Sequence, residues 1–365
     1  MPTLNDVASR CGVSTATVSA VVNGADWVSR PTRERVEAAI EEVGYRPNRI
    51  ARSLKTGRGY GVGVIVHDLT NPFFTEIVRS LSHTLRKLGR TLVLCDSDRR
   101  FEVGARNLEM LLEKQIDGLV LINDAVSEDD LHTHLRGLSF ELPVVAVDRT
   151  YDRPGGVHHL LVDSEEGAFQ ATAHLIAQGR RRVALISGPL GSTDGNADPP
   201  PTGYGRQARY EGYRRALDEA DLPFDPALVA EGNLRYDGGR RACQQLLALP
   251  GGPPDAIFAA NDLMALGALQ AAQDAGLSVP DDLAIVGFDD IPPAARASPA
   301  LTTIAMPKRA LGHAAAELLH ERIERAPNGH ADDDEPVRRL FSAHLVARGS
   351  SQQHPAPVDG DATVA

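Results

Sequence analysis

The sequence predicts an α/β protein with a three-helix head, a short connecting helix and a core of two parallel-sheet subdomains. Three observations carry this. Apolar runs rich in Val, Ile and Leu fall at 61–66, 90–95, 118–122, 144–147, 182–186, 256–260, 283–287 and 301–306. They lack polar alternation, as strands buried on both faces do. Amphipathic stretches of helical period lie between them, at 73–88, 102–113, 165–178, 206–220, 237–248, 262–275 and 309–323. Such a strand number exceeds one compact unit, so two α/β subdomains with a cleft between them are expected. Finally, residues 1–58 hold no such run and differ in charge. Nine basic and six acidic side chains leave them at +3, while the whole chain is −11. A basic head on an acidic body confines phosphate attraction to the head.

The first element is TLNDVASRC. Thr3 with Asp6 three residues on has the spacing of a capping box, and Val7 and Ala8 mark the buried face. Gly12 supplies the tight turn. Ser14 caps the next helix, TATVSAVV, whose Val18 and Val21 point inward, and Asn23-Gly24 ends it. Two helices joined by so short a turn fit a helix-turn-helix whose second helix enters the DNA major groove, and equally any compact helical hairpin. Ser29 is positioned to cap a third helix with Pro31 in its first turn. Its apolar face is Val36, Ala39, Ile40 and Val43, and Gly44 stops it. Trp27 and Val28 are expected to complete the head core.

The segment 48–58 follows, with Asn48 as cap and Gly57 as stop. It is too short to be a stable helix alone and reads as a hinge ordered by a partner. In the core, residues 188–205 form a long Pro/Gly-rich loop. Residues 328–336 are acidic but lack the spaced ligands of a calcium loop, so a solvated loop is expected and no metal site. From 349 to 365 the composition is that of a disordered tail. Cys11, Cys95 and Cys243 are scattered and imply neither disulfides nor zinc. The N-terminus has no signal pattern and no run is long enough to span a membrane, so a cytoplasmic protein without membrane partners is expected. There is no GxxxxGK, GxSxG or HExxH, hence no predicted catalytic residue, cofactor or enzyme activity.

Taken in order, TLNDVASRCGVSTATVSAVVNG, YRPNRIARSLKTGRGYGVGVIV, NPFF, VVAVDR, GRRRVALISGPLG, RYEGYRRAL, FAANDLMALGALQAAQDAGLSVPDDLAIVGFDDIP and LTTI resemble the lactose-repressor (LacI/GalR) family of bacterial transcription regulators. The resemblance spans about residues 3–348. It implies a helix-turn-helix head at 2–47 (motif 4–23), a hinge helix at 48–58 and a periplasmic-binding-protein-like core at 60–348. The core would divide into about 60–160 plus 291–323 and about 161–290 plus 324–348. It also implies a homodimer on a pseudo-palindromic operator of double-stranded DNA, repression as its usual effect, and allosteric control by a small molecule such as a sugar.

The DNA-reading positions of that family fall on Thr15, Ala16 and Ala20, with Thr17, Ser19 and Asn23 as phosphate or groove contacts. Ala51 and Leu54 fall on its hinge contacts, with Leu54 as the minor-groove wedge. Ala20 allows only an apolar base contact, which shifts part of the specificity to the hinge. The effector positions fall on His67, Phe73, Asp148, Arg209, Asn261 and Asp289, each at or just after a strand end or in the turns beside it. Carboxylates, an amide and a guanidinium suit paired sugar hydroxyls, and Phe73 can cover an apolar face. Asp262 is expected to be only a helix N-cap. The chain departs from the family pattern after Gly232, where Leu234 stands in place of an aromatic and Tyr236 follows two residues later.

Overall fold

The computed structural model describes residues 2–22, 24–45, 61–123, 126–138, 142–152, 156–189, 204–325 and 335–352. Two units separate, residues 1–60 and 61–365.

In the head, α1 (Leu4–Cys11), α2 (Thr15–Val22) and α3 (Arg30–Val43) enclose a core of Val7, Ala8, Val18, Val21, Val28, Val36 and Ala39. The capping box forms as its spacing predicts. Asp6 Oδ2 accepts from the Thr3 amide at 2.7 Å, and Thr3 Oγ1 accepts from the Asp6 amide. Gly12 closes α1 at φ 67°, a conformation that suits glycine. Ser14 Oγ accepts from the Thr17 amide at 3.1 Å and caps α2. Arg10 grips Glu42 through two nitrogens and ties α1 to α3. Two local expectations fail. Trp27 is 73% exposed, so Val28 alone closes the core from that loop. Ser29 makes no side-chain cap and instead donates to Thr32 Oγ1.

The core holds two six-stranded sheets. The first contains β1 (Gly61–Val66), β2 (Thr91–Asp96), β3 (Gly118–Ile122), β4 (Val144–Val147), β5 (His158–Val162) and β11 (Arg338–Phe341). Its order is β11-β5-β4-β3-β1-β2, all parallel. The second contains β6 (Val183–Ser187), β7 (Val229–Glu231), β8 (Ala256–Ala259), β9 (Ala284–Asp289), β10 (Thr302–Ala305) and β12 (His344–Val346). Its order is β12-β10-β9-β8-β6-β7, with β12 antiparallel to β10. Strand alternation splits the packing of the first sheet. Val62, Val64 and Val66 join the cluster built on α4 (Pro72–Lys87) and α11 (Lys308–Arg325). Ile65 faces Leu108 and Leu111 of α5 (Phe101–Glu113). Five further helices complete the layers: α6 (Glu128–Arg136), α7 (Ser164–Ala177), α8 (Tyr204–Glu219), α9 (Tyr236–Leu247) and α10 (Asp262–Asp274).

The chain leaves the first sheet after β5, builds the second through β10, and returns with α11 against α4. It ends by adding β11 to the first sheet and β12 to the second. This moves the expected subdomain limits. Residues 302–305 lie in the second sheet and 338–341 in the first, the reverse of the expected assignment. The tail also begins later than 349. Ser350 and Ser351 are fully buried, and Ser350 Oγ donates to Ile285 O at 2.6 Å while accepting from the Thr302 amide at 2.8 Å. The hinge 48–58, the loop residues 190–203, the acidic residues 328–334 and the tail from 353 lie outside the described residues. No described helix is long and apolar enough to cross a membrane, and no His/Cys/Asp/Glu group among the described residues could hold a metal.

Candidate functional site: a strand-end cleft and a recognition helix

Thr15 and Ala16 are exposed on the first turn of α2, which leaves that turn open to a partner. The Thr17 hydroxyl lies 2.9 Å from Ser14 Oγ, and Ser19 is half-buried. Ala20 packs one side against the head core, so it presents only part of its methyl outward. Asn23, Ala51 and Leu54 lie outside the described residues.

The effector positions converge more fully. His67, Phe73, Arg209, Asn261 and Asp289 line one narrow cavity of about 40 Å³. They come from both sheets because the carboxyl ends of their parallel strands face each other. His67 follows β1. Asn71 caps α4 by accepting from the Phe73 amide at 3.0 Å, which fixes the turn that sets Phe73 edge-on to Phe74. Phe74 lies edge-on to His67 in turn. Asp148 lies one layer back. It is buried, and a Cβ at Gly205 would sit 3.4 Å from both Asp148 Oδ2 and Arg209 Nη2. Those two side chains therefore flank the same point of α8.

Arg209 Cζ lies over the Phe288 ring, 4.3 Å from its centroid, a cation–π contact that holds the guanidinium beside the strand end. Asp289 closes β9 at φ 112° and is 4% exposed. Holding a carboxyl-bearing residue in that backbone region costs energy and is typical of functional sites. Burial pushes the Asp289 carboxyl up to about 7; Arg209 and Lys308 pull it down and Asp148 pushes it up. Lys308 Nζ donates to the carbonyls of Asp289 and Asp290, clamping the strained turn from beneath.

Asn261 Oδ1 accepts from the Met264 amide, and its Nδ2 donates to Leu234 O at 2.9 Å. Half of its amide capacity is thus spent on holding α10 and the Leu234 turn. Asn261, not Asp262, is the N-cap of α10. Asp262 is fully buried and accepts from Thr303 Oγ1 and, at 2.8 Å, from the Ile291 amide. Its carboxyl is raised well above the ordinary range by burial and by neighbouring Asp289. The N-cap expectation for Asp262 fails because the residue one turn-position earlier already satisfies the helix.

Leu234, at φ 61°, lines the cavity, while Tyr236 is 42% exposed and does not line it. The apolar wall is Phe73, Phe74 and Leu234. Sequence reasoning missed Asp68, Arg99 and Asn123. Asn123 follows β3 directly, so the strand-end rule that selected Asn261 would have found it. Arg99 lies three residues beyond β2 and carried no such signal.

A family model for bacterial regulatory proteins of the lacI family matches residues 3–48, and one for a periplasmic binding protein-like domain matches 172–351. The chain is 37% identical over 353 residues to the HTH-type transcriptional repressor PurR of Aliivibrio fischeri (strain ATCC 700601 / ES114), covering 96% of this chain and 98% of that one. It is 38% identical over 325 residues to the ribose operon repressor of Escherichia coli (strain K12), covering 88% and 93%. Among solved structures it superimposes on the lac repressor dimer bound to operator and the anti-inducer ONPF. The TM-score is 0.81 and the identity 29%, with 96% of this chain and 99% of that one covered. With its helix-turn-helix head and two-sheet core, the chain belongs to the lacI family of bacterial regulatory proteins and is a DNA-binding transcriptional regulator.

Proposed function

We propose that the chain is a repressor that binds a pseudo-palindromic operator as a homodimer and changes its operator affinity when a small hydroxylated metabolite occupies the core cleft. The observation that carries this reading is the Asp289–Arg209 arrangement. A strained, buried carboxyl at the end of β9 and a stacked guanidinium on α8 line one cavity with Asn261 and an apolar wall. A carboxylate accepts two hydroxyls and a guanidinium donates to a third, while Phe73 and Leu234 cover the apolar edge of a ring. A ribose operon repressor among the relatives, and a solved regulator in complex with cellobiose, support a metabolite-responsive cleft. The lac repressor structure, a dimer on operator with a small ligand, supports the assembly.

Thr15, Ala16 and Ala20 would read base edges while Thr17, Ser19 and Asn23 grip the backbone, with Ala51 and Leu54 contributing from the hinge. A ligand bridging the two sheets alters their closure, and operator affinity and ligand affinity are then reciprocally linked. A thermal-shift screen of sugars and nucleosides on the full chain, followed by operator gel shifts with each hit, tests this. A hit raises the melting temperature by mass action, and Asp289→Asn removes the rise. Hits whose effect survives Asp289→Asn would contradict the cleft assignment.

A further inference from the structure

One end of the cleft carries more positive charge than the hydroxyl-binding arrangement needs. After β2 the chain turns through Asp98 and Arg99, both left-handed at φ 50° and 61°. The turn is fixed by the Ser97 amide donating to Val66 O and the Arg99 amide donating to His67 O, each at 2.9 Å. Two successive left-handed residues other than glycine are costly, and their effect is to bring Arg99 back beside His67 into the cavity lining. Arg99 is half-buried, and its Nε has no hydrogen-bond partner among the described residues.

Two further guanidiniums, Arg206 and Arg235, act on it electrostatically, as do the carboxylates of Asp68 and Asp98. The carboxylates are largely committed elsewhere. Asp68 Oδ1 accepts from both the amide and the hydroxyl of Thr70, and its Oδ2 faces Arg235 at 3.4 Å. Asp98 is exposed and stands 4.0 Å from Arg235. Arg206 spends one nitrogen on Pro189 O. Asp68 and Asp98 are thus shared with Arg235, and Asp98 also with Arg100, while Arg99 is the guanidinium in the cavity wall. A half-buried guanidinium next to two others is disfavoured until an anion meets it, and its planar fork matches the two oxygens of a carboxylate or a phosphoryl group.

We infer that the cleft ligand is anionic: a hydroxylated metabolite bearing a phosphate or carboxylate group that sits on Arg99, with its hydroxyls at Asp289 and Arg209. This rests on the cleft reading above and adds the charge of the ligand to it. The two ends differ in kind. At Asp289 and Asp148 the carboxyls are matched by Arg209 and Lys308, which suits neutral hydroxyls. At Arg99 the guanidinium makes no ion pair among the described residues, and its Nε has no hydrogen-bond partner there.

The test uses the full chain, with wild type compared with Arg99→Gln and Asp289→Asn. The first probe is inorganic phosphate, titrated by thermal shift against chloride at equal ionic strength. Phosphate should stabilise wild type more than Arg99→Gln, and equal responses of the two would overturn the inference. The second probe is calorimetric binding of matched sets: ribose, ribose 5-phosphate and ribonate, then glucose, glucose 6-phosphate and gluconate. In the set that binds, an anionic member should bind at least about tenfold tighter than its neutral parent, an advantage that Arg99→Gln abolishes. Whether phosphate or carboxylate gains more names the anionic group. A neutral parent that binds as tightly as its anions, unaffected by Arg99→Gln but weakened by Asp289→Asn, sinks the anionic inference and leaves the cleft reading standing. Binding insensitive to Asp289→Asn sinks the cleft reading itself.

Discussion

Asp289 concentrates the chemistry of the cleft at one residue. Its carboxyl is raised to about 7 in the folded chain, chiefly by burial, above the value it has when unfolded. The folded state therefore holds its proton over a range where the unfolded state has lost it. The stability from this group is full at acid pH and declines as pH rises from the ordinary carboxylate range toward about 7. A ligand that donates hydroxyls to the carboxylate favours the ionised form, so binding releases a proton below about 7. Ligand affinity should fall as pH is lowered from 8 to 6, approaching about tenfold per unit, and the slope should vanish in Asp289→Asn. Calorimetry across that range in two buffers of different ionisation heat checks both affinity and proton release.

A second residue-scale prediction concerns Arg90. Its side chain is 2% exposed and donates to Asp117 Oδ2 at 3.0 Å, with Glu324 and His320 beside it. Arg90→Met removes the buried guanidinium that Asp117 and Glu324 share, and breaking a buried pair from one side costs about 3–5 kcal/mol. Urea denaturation of the full chain should show it in the core transition. A change under about 1 kcal/mol would mean that water reaches Asp117. Residues directly after strand ends, such as His67 and Asn261, were legible in the sequence because strand topology alone places them. Arg90 was legible only as the start of an apolar run. Its ion pairs join positions 27 and 234 residues apart, a pairing that no local pattern encodes.

At the scale of elements, helix contacts within the second subdomain depend on glycines. A Cβ on Gly267 of α10 would lie 2.0 Å from Tyr236 O, and one on Gly239 of α9 would lie 2.1 Å from Met264 O. The two helices approach backbone to backbone at both points. Met264 lies on α10 and Leu234 two residues before α9, and Asn261 Nδ2 bonds Leu234 O between them. Gly267→Ala should therefore destabilise the core by more than the about 1–3 kcal/mol of ordinary overpacking, because backbone must move. It should also weaken ligand binding by displacing Leu234. Denaturation and calorimetry on one preparation check both, and unchanged stability would show that the helices can part freely.

The strong elements were readable for a plain reason: both-face burial makes β1, β3, β4, β6, β8 and β9 continuous apolar runs. The elements that escaped are helix α6 and strands β5, β7, β11 and β12, of which the last three lie at sheet edges. β7 and β12 have three residues each, and β11 at the sheet edge presents Arg338 and Arg339 to solvent. β5 begins with two histidines, and the His158 ring accepts from the Val337 amide of β11's approach, a role visible only once the strands pair. The run LTTIA fits either sheet equally, so its assignment depended on the crossings of the chain rather than on local pattern.

For the whole molecule, the two sheets of the core are joined by segments that they share. Asp262 bonds Thr303 of β10 and the Ile291 amide, and Lys308 at the head of α11 clamps the Asp289–Asp290 turn. The chain leaves the second sheet between these points and packs α11 on α4 of the first. A ligand that reorganises Asp289 thus acts on the segment that links the two sheets, which is the geometry a two-state switch requires. The basic head, +3 over residues 1–58, supplies the salt-dependent attraction to DNA that such a switch turns up or down.

The central claim is that occupancy of the cleft sets operator affinity. Its most direct measurement is fluorescence anisotropy on an operator selected by the full chain from random duplexes. The operator is titrated with and without a saturating cleft ligand, in wild type and in Asp289→Asn. Ligand should shift the operator Kd of wild type by about 5- to 150-fold and leave that of Asp289→Asn unchanged. The same operator Kd in wild type with and without bound ligand would contradict it.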